Sequence, residues 1–217
     1  MPIIIPAILE SSKEKFLAAV SLVTKIPGVE RIQVDFGDGR FIPDKLLNVS
    51  EIDSLNPAFH WEAHLMCQGV KDFLDYQICG FKTIIIHQEA YLGELDLRDA
   101  LAKIKQAGLN PAVCINPNTP VIAAANMESL TNQFQIMGVV PGKQGQSFIP
   151  DVLAKIKEMR ALYPHAIIEV DGGVNETNIK SIKDAGADLI VAGSAIVKSE
   201  NPVLAFEKLS SLITKYG

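Results

Sequence analysis

Eight short β-branched runs recur along the chain, each followed by a segment of helical periodicity, and this alternation limits the possible folds more than any other feature. The runs are Ile3–Ile8, Arg31–Phe36, Trp61–Met66, Thr83–His87, Pro111–Ile115, Gln133–Val139, Ala166–Asp171 and Leu189–Ala192. The helical segments are Lys13–Lys25, Lys45–Ser54, Val70–Ile78, Leu95–Gln106, Val121–Asn126, Pro150–Tyr163, Glu176–Ala185 and Pro202–Lys215. Each unit takes about 27 residues, the size of one βα repeat. Strict βα alternation requires a parallel sheet, and a closed eight-stranded barrel uses all eight units where an open doubly wound sheet does not. The expected fold is therefore α/β, a single (β/α)8 TIM barrel over residues 1–217. Ser11 with Glu14 fits a capping box, and Gly80, Gly108 and Gly186 stand just past their helices, where a left-handed residue is wanted. The fifth unit is poor in helix formers and carries Pro117 and Pro120.

Composition excludes several partners. The 20 Lys+Arg against 25 Asp+Glu leave a formal charge of −5, with no dense basic cluster for nucleic acid or an anionic membrane. No apolar run reaches the roughly 18 residues of a membrane span. No basic segment precedes the apolar Pro2–Ile5 stretch, which argues against a cleaved signal peptide. Cys67, Cys79 and Cys114 lack metal-like spacing and read as reduced, buried thiols of a cytoplasmic protein.

Barrel interiors are usually filled by Val, Ile and Leu, and three strands depart from that rule at their C-terminal ends. Gln33 and Asp35 share one face of strand 2, Glu62 and His64 one face of strand 3, and Glu169 and Asp171 one face of strand 7. Pointed inward, up to five acidic or imidazole groups converge at the barrel mouth, where a cation, a proton or hydrogen bonds must compensate them. His87 closes strand 4 as a further pocket candidate, whereas His60 and His165 read as structural or exposed.

Glycine placement adds a second signal. Pro141-Gly142-Lys143-Gln144-Gly145-Gln146 follows strand 6, Gly172-Gly173 follows strand 7, and Gly193-Ser194 follows strand 8. Glycines let a backbone approach an anion, and barrels often bind phosphate after their last strands. Carboxylates beside a phosphate grip describe an enzyme acting on a sugar phosphate.

Several stretches carry a family resemblance: Pro6–Leu9, Val34–Pro43, His64–Met66, Pro141–Ile149, Val170–Val174 and Val191–Ala195. In order and spacing they resemble the ribulose-phosphate 3-epimerase family, whose fold is a (β/α)8 barrel. The resemblance implies removal of the C3 proton of a ketopentose phosphate and its return from the opposite face. Asp35 and Asp171 match the family's acid and base, a pair this chemistry needs. It also implies a divalent metal (Zn, Mn, Fe or Mg) to stabilise the enediolate. Its ligands would be His64, Asp35 and Asp171, with Gln33 where the family has a second histidine. Met66 and Met137 match family methionines at the substrate, and Gly142, Gly145, Gly172, Gly173, Gly193 and Ser194 match the phosphate grip. The partner is a small sugar phosphate, and the protein is expected to be a homo-oligomer.

The chain departs from the pattern elsewhere: the family's first serine is Ala7, a metal-facing methionine is Gly37, and a loop aromatic is Lys143. These changes leave room for two alternatives: an epimerase of another ketose phosphate, such as a hexulose 6-phosphate, and a non-catalytic phosphosugar binder. A Schiff-base aldolase is disfavoured because no strand ends in lysine. Decarboxylating barrels carry Asp-x-Lys-x-x-Asp on strand 2, and Val34–Asp38 lacks that lysine. No nucleophile elbow is present either.

Overall fold

The computed structural model describes residues 2–124 and 126–214. Its strands are β1 (Ile3–Ile8), β2 (Arg31–Gly37), β3 (His60–Met66), β4 (Thr83–His87), β5 (Asn110–Ile115), β6 (Gln133–Met137), β7 (Ile167–Asp171) and β8 (Leu189–Ala192). They pair in parallel in chain order, and β8 closes on β1 through Ile3 opposite Leu189. The fold is the (β/α)8 barrel that the alternation implies.

The helices are α1 (Lys13–Val23), α2 (Leu74–Cys79), α3 (Glu94–Gln106), α4 (Val152–Leu162), α5 (Ile179–Ala185), α6 (Ser194–Val197) and α7 (Pro202–Thr214). Lys215 and Ala125, inside two of the expected helical segments, lie outside the described residues. In α3 the buried Leu97, Ala100, Leu101 and Ile104 recur at helical spacing and cover the strands. Each buried leucine or isoleucine there stabilises the barrel by about 1.5–3 kcal/mol. The cap of α1 is Ser12, whose side chain accepts from the Lys15 N–H, one residue later than the expected Ser11. Gly80, Gly108 and Gly186 all adopt the expected positive φ.

Two expected helices are reduced to single 3₁₀ turns, Val49–Glu51 and Val121–Ala124. In the first, the Leu46 and Leu47 N–H groups donate to Gly37 and Glu10 carbonyls at 3.0 Å each. With an antiparallel bridge between Asp38 and Lys45, these bonds hold residues 45–47 beside the strand ends in non-helical backbone, so the turn begins only after Asn48, which caps it. Around the second, Pro117 and Pro120 remove two donors. Strand β6 stops at Met137 rather than Val139: the Gly138 N–H makes the last ladder bond, to the Asp171 carbonyl, while the Gly138 carbonyl leaves the ladder and accepts from the Ile149 N–H at 2.8 Å. The short helix α6 was not foreseen.

Register aligns the inward side chains in rows. Gln33 lies opposite Ala7 and Glu62, Asp35 opposite His64, and Met137 and Val191 flank Asp171. Two small apolar patches share the barrel interior with these polar rows. One is Ile85, Ala112, Cys114, Met137 and Val139; the other is Ile5, Ala7, Leu189 and Val191.

Candidate active site

At the C-terminal mouth the structure brings together Asp35 from β2, His64 from β3 and Asp171 from β7. Period-two geometry aims all three inward, and closure of the barrel makes β2 and β7 face each other across the mouth. His64 Nδ1 lies 2.9 Å from Asp35 Oδ1 and 3.3 Å from Asp171 Oδ2. Gln33 sits between them: its amide Nε2 donates to Asp35 Oδ1 and to Asp171 Oδ2, both at 2.8 Å, and lies 3.4 Å from His64 Nδ1. The amide thus links the two carboxylates directly. Gln33 Oε1 is buried without a partner.

Burial raises the Asp35 pKa, opposed by the hydrogen bond from His64. Burial pulls the His64 pKa down, but hydrogen bonds to Asp171 and Asp35 outweigh it and hold the imidazole well above its ordinary value. Both directions keep a proton within the cluster at neutral pH. An acid–base pair requires one such proton shared unequally between two carboxyl groups.

Glu62 and Glu169 point inward but do not reach the mouth, which corrects the expected convergence of five groups. Each lies two residues earlier on its strand, one layer deeper. There Glu62 pairs with Arg31, and Gln133 Nε2 donates to Glu62 Oε1 at 3.3 Å and to Glu169 Oε2 at 2.6 Å. Burial raises both glutamate pKa values, and repulsion from Glu62 pushes Glu169 further. This is a buried structural network. His60 belongs to it, with Nε2 2.8 Å from Thr83 Oγ1, and His165 is exposed, as expected. His87 is fully buried and does not line the mouth cavity; its Nε2 stands 2.8 Å from His64 Nε2.

Met66 and Met137 line the cavity over Asp35, His64 and Asp171. Gly142, Gly145, Gly172, Gly173, Gly193 and Ser194 line it too, together with Lys143 and Gln144. A Cβ on Gly173 would stand 2.5 Å from the Phe148 backbone nitrogen, and one on Gly193 would stand 2.8 Å from Gln144 Nε2. At Gly173 backbone excludes a side chain outright, whereas at Gly193 only the movable end of the Gln144 side chain stands in the way. Ala7 lines the cavity too, but Gly37 does not. A Cβ at Gly37 would meet Ile42 Cδ1 at 2.6 Å, so Ile42 fills the space a side chain at position 37 would take.

Two contributors were not identified from sequence. Gln135 Nε2 donates to Asp171 Oδ2 at 3.3 Å; its place two residues before Met137 on β6 was the available signal. Asp38 accepts from the Arg40 and Phe41 N–H groups at 2.9 Å, and from Gln68 N at 2.9 Å. Although burial favours the neutral acid, these backbone donors bring its pKa down to about 2 and fix the loop after β2.

Asp35, His64 and Asp171 offer three ligand atoms within 4.8 Å of one another, and the unpartnered Gln33 Oε1 offers a fourth once the amide turns over. The donor set fits a divalent ion, and its three oxygens suit Mn²⁺ or Mg²⁺ better than Zn²⁺.

The sequence model of the ribulose-phosphate 3 epimerase family matches residues 3–197. A ribulose-phosphate 3-epimerase of Candida glabrata is 29% identical over 95% of this chain and 91% of its own length. One from Synechocystis is 31% identical over 92% of this chain and 89% of its own. Among solved structures, a 3-hexulose-6-phosphate synthase superposes with a TM-score of 0.73 at 20% identity, covering 99% of this chain and all of the other. That likeness shows the shared barrel.

Proposed function

The chain belongs to the ribulose-phosphate 3-epimerase family, and from that premise we propose that this isomerase interconverts D-ribulose 5-phosphate and D-xylulose 5-phosphate. The observation that carries the reading is the link between Asp35 and Asp171 through one amide nitrogen, at 2.8 Å on each side. One carboxylate takes the C3 proton while the other, protonated, returns a proton to the opposite face. Gln33 and His64 hold the two carboxyl groups at fixed spacing and keep the needed proton between them. Met66 and Met137 give the developing charge an apolar wall that excludes water. Backbone amides around Gly173, Gly193 and Ser194 hold the phosphate, supported by the Gly142–Gly145 loop. Asp35, His64, Asp171 and Gln33 Oε1 would hold a divalent ion, which when bound supplies positive charge to the substrate oxygens.

Ala7 and Lys143 favour a second reading, the same chemistry on a different sugar. Ala7 offers no hydroxyl to the sugar, and Lys143 is the only lysine or arginine among the described residues lining the cavity. We place the protein in the cytoplasm; its cysteines are free, and no helix among the described residues is long and apolar enough to cross a membrane.

Incubation in D₂O with a panel of ketose phosphates tests the reading. Deuterium should enter C3 of ribulose 5-phosphate, and Asp35→Asn and Asp171→Asn should each lower turnover at least about 10²-fold. Exchange into a hexulose 6-phosphate alone selects the second reading. No exchange into any sugar that binds would make the protein a binder.

A further inference from the structure

We propose that the barrel interior contains a second cation site, in which His64 Nε2, His87 Nε2 and the Cys114 thiolate together bind one ion of the zinc class. These residues come from the consecutive strands β3, β4 and β5, and His87 and Cys114 are direct register partners. Their ligand atoms all lie within 4.8 Å of one another, and all three side chains are fully buried. The two imidazoles meet nitrogen to nitrogen at 2.8 Å, with ring centroids 5.0 Å apart. A tetrahedral ion with Zn–N bonds of about 2.0–2.1 Å needs that gap to open by only about half an ångström.

Both rings turn their far nitrogen toward a carboxylate, as metal-binding histidines usually do. His64 Nδ1 has Asp35 and Asp171. His87 Nδ1 faces Glu89 Oε2 at 3.6 Å, and neither atom has a hydrogen bond to any other group. Gln135, register partner of Cys114, has a buried Oε1 with no partner, a candidate fourth donor. Burial pushes the Cys114 thiol up to about 12, so without a cation it stays protonated and unreactive. Coordination would deprotonate it.

The donor chemistry separates this site from the mouth. Imidazole and thiolate select zinc or cobalt, whereas the mouth offers two carboxylates and an amide oxygen to harder ions. The two sets share only His64, through opposite ring nitrogens. A neutral imidazole has one lone pair, so His64 serves one site at a time. Phe41, on the loop that Asp38 fixes, packs on the His87 ring at 4.7 Å between centroids.

Cobalt(II) is the direct probe, because a thiolate ligand gives an intense near-ultraviolet charge-transfer band that a site of carboxylates, amide and imidazole lacks. Chelator-stripped protein titrated with Co²⁺ should develop this band, saturating at one equivalent. Cys114→Ala and His87→Gln should abolish it. The double variant Cys67→Ser with Cys79→Ala, which leaves Cys114 as the only sulfhydryl, should retain it. That pairing decides the matter even if a Cys114 variant fails to fold. Cobalt bound without the band, no cobalt bound, or a band that survives in Cys114→Ala or disappears with the other two cysteines would overturn the proposal.

Discussion

Gln33 sets the character of the mouth, because it stands between the two aspartates. Its amide makes two charge-assisted hydrogen bonds to carboxylates that would otherwise repel each other at close range. Gln33→Leu keeps the volume and removes both bonds. It should cost about 2–3 kcal/mol of stability, read as a lower urea midpoint, and should slow turnover as well. An unchanged midpoint would mean that His64 and Gln135 suffice to hold the carboxylates. Residue identity is legible here from sequence, since Gln33 stands two residues before Asp35 on the same strand face. The direction of its amide is not, because an amide side chain can present either nitrogen or oxygen and only the surrounding acceptors decide.

At the level of elements, the loops after β6, β7 and β8 interlock through glycine. Gly173, at φ +69°, meets backbone of the β6–α4 loop, whereas Gly193 meets only the far end of the Gln144 side chain. The two substitutions should therefore separate. Gly173→Ala should destabilise the fold, seen as a fall in melting temperature, while Gly193→Ala should keep the melting temperature and raise KM more than it lowers kcat. The β3–β4 pair carries a second prediction. Burial, with repulsion from Arg31 and Lys82, lowers the His60 pKa to about 4. Between about 6.5 and 4 the unfolded chain therefore binds the extra proton, and stability falls as pH falls through that window. His60 is partly exposed, so the loss should be about 2 kcal/mol after allowing for solvent screening, and His60→Gln should remove it from a plot of stability against pH. Strand positions were legible because β-branched runs mark them. The helix expected over Lys45–Ser54 failed because periodicity does not show that Lys45 bridges to Asp38, which with the Leu46 and Leu47 bonds keeps that stretch beside the strand ends. The depth of Glu62 and Glu169 was overlooked for a different reason: period two gives the face, while the layer must be counted from the register.

For the whole molecule, the relevant quantity is the overall charge of −5, which opposes approach of a doubly charged phosphate. Lys143 offsets that field locally, at the rim of the cavity. Lys143→Glu should raise KM about tenfold at low ionic strength, and the difference should shrink when salt shortens the Debye length to about 3 Å near 1 M. A ratio independent of salt would mean that Lys143 contacts the sugar directly or not at all. Cys114 and His87 belong to this scale too. The sequence presents a thiol and a strand-end histidine 27 positions apart, and the parallel pairing of β4 with β5 places them side by side.

Closure also divides labour between the two ends of the chain. Asp35, His64 and His87 all come from β1–β4, whereas Asp171, Met137 and every glycine of the phosphate grip come from β5–β8. The halves meet at an exposed turn between α3 and β5, where Gly108 has no neighbour within 4 Å of its missing Cβ. A gene cut at that turn yields two polypeptides, each with half of a catalytic pair and half of a barrel seam. Neither has a closed sheet, so each exposes strand edges that only the other can cover. Co-expressed, they should reassemble by pairing β4 with β5 and β8 with β1, and recovery of turnover would then report non-covalent assembly of the barrel.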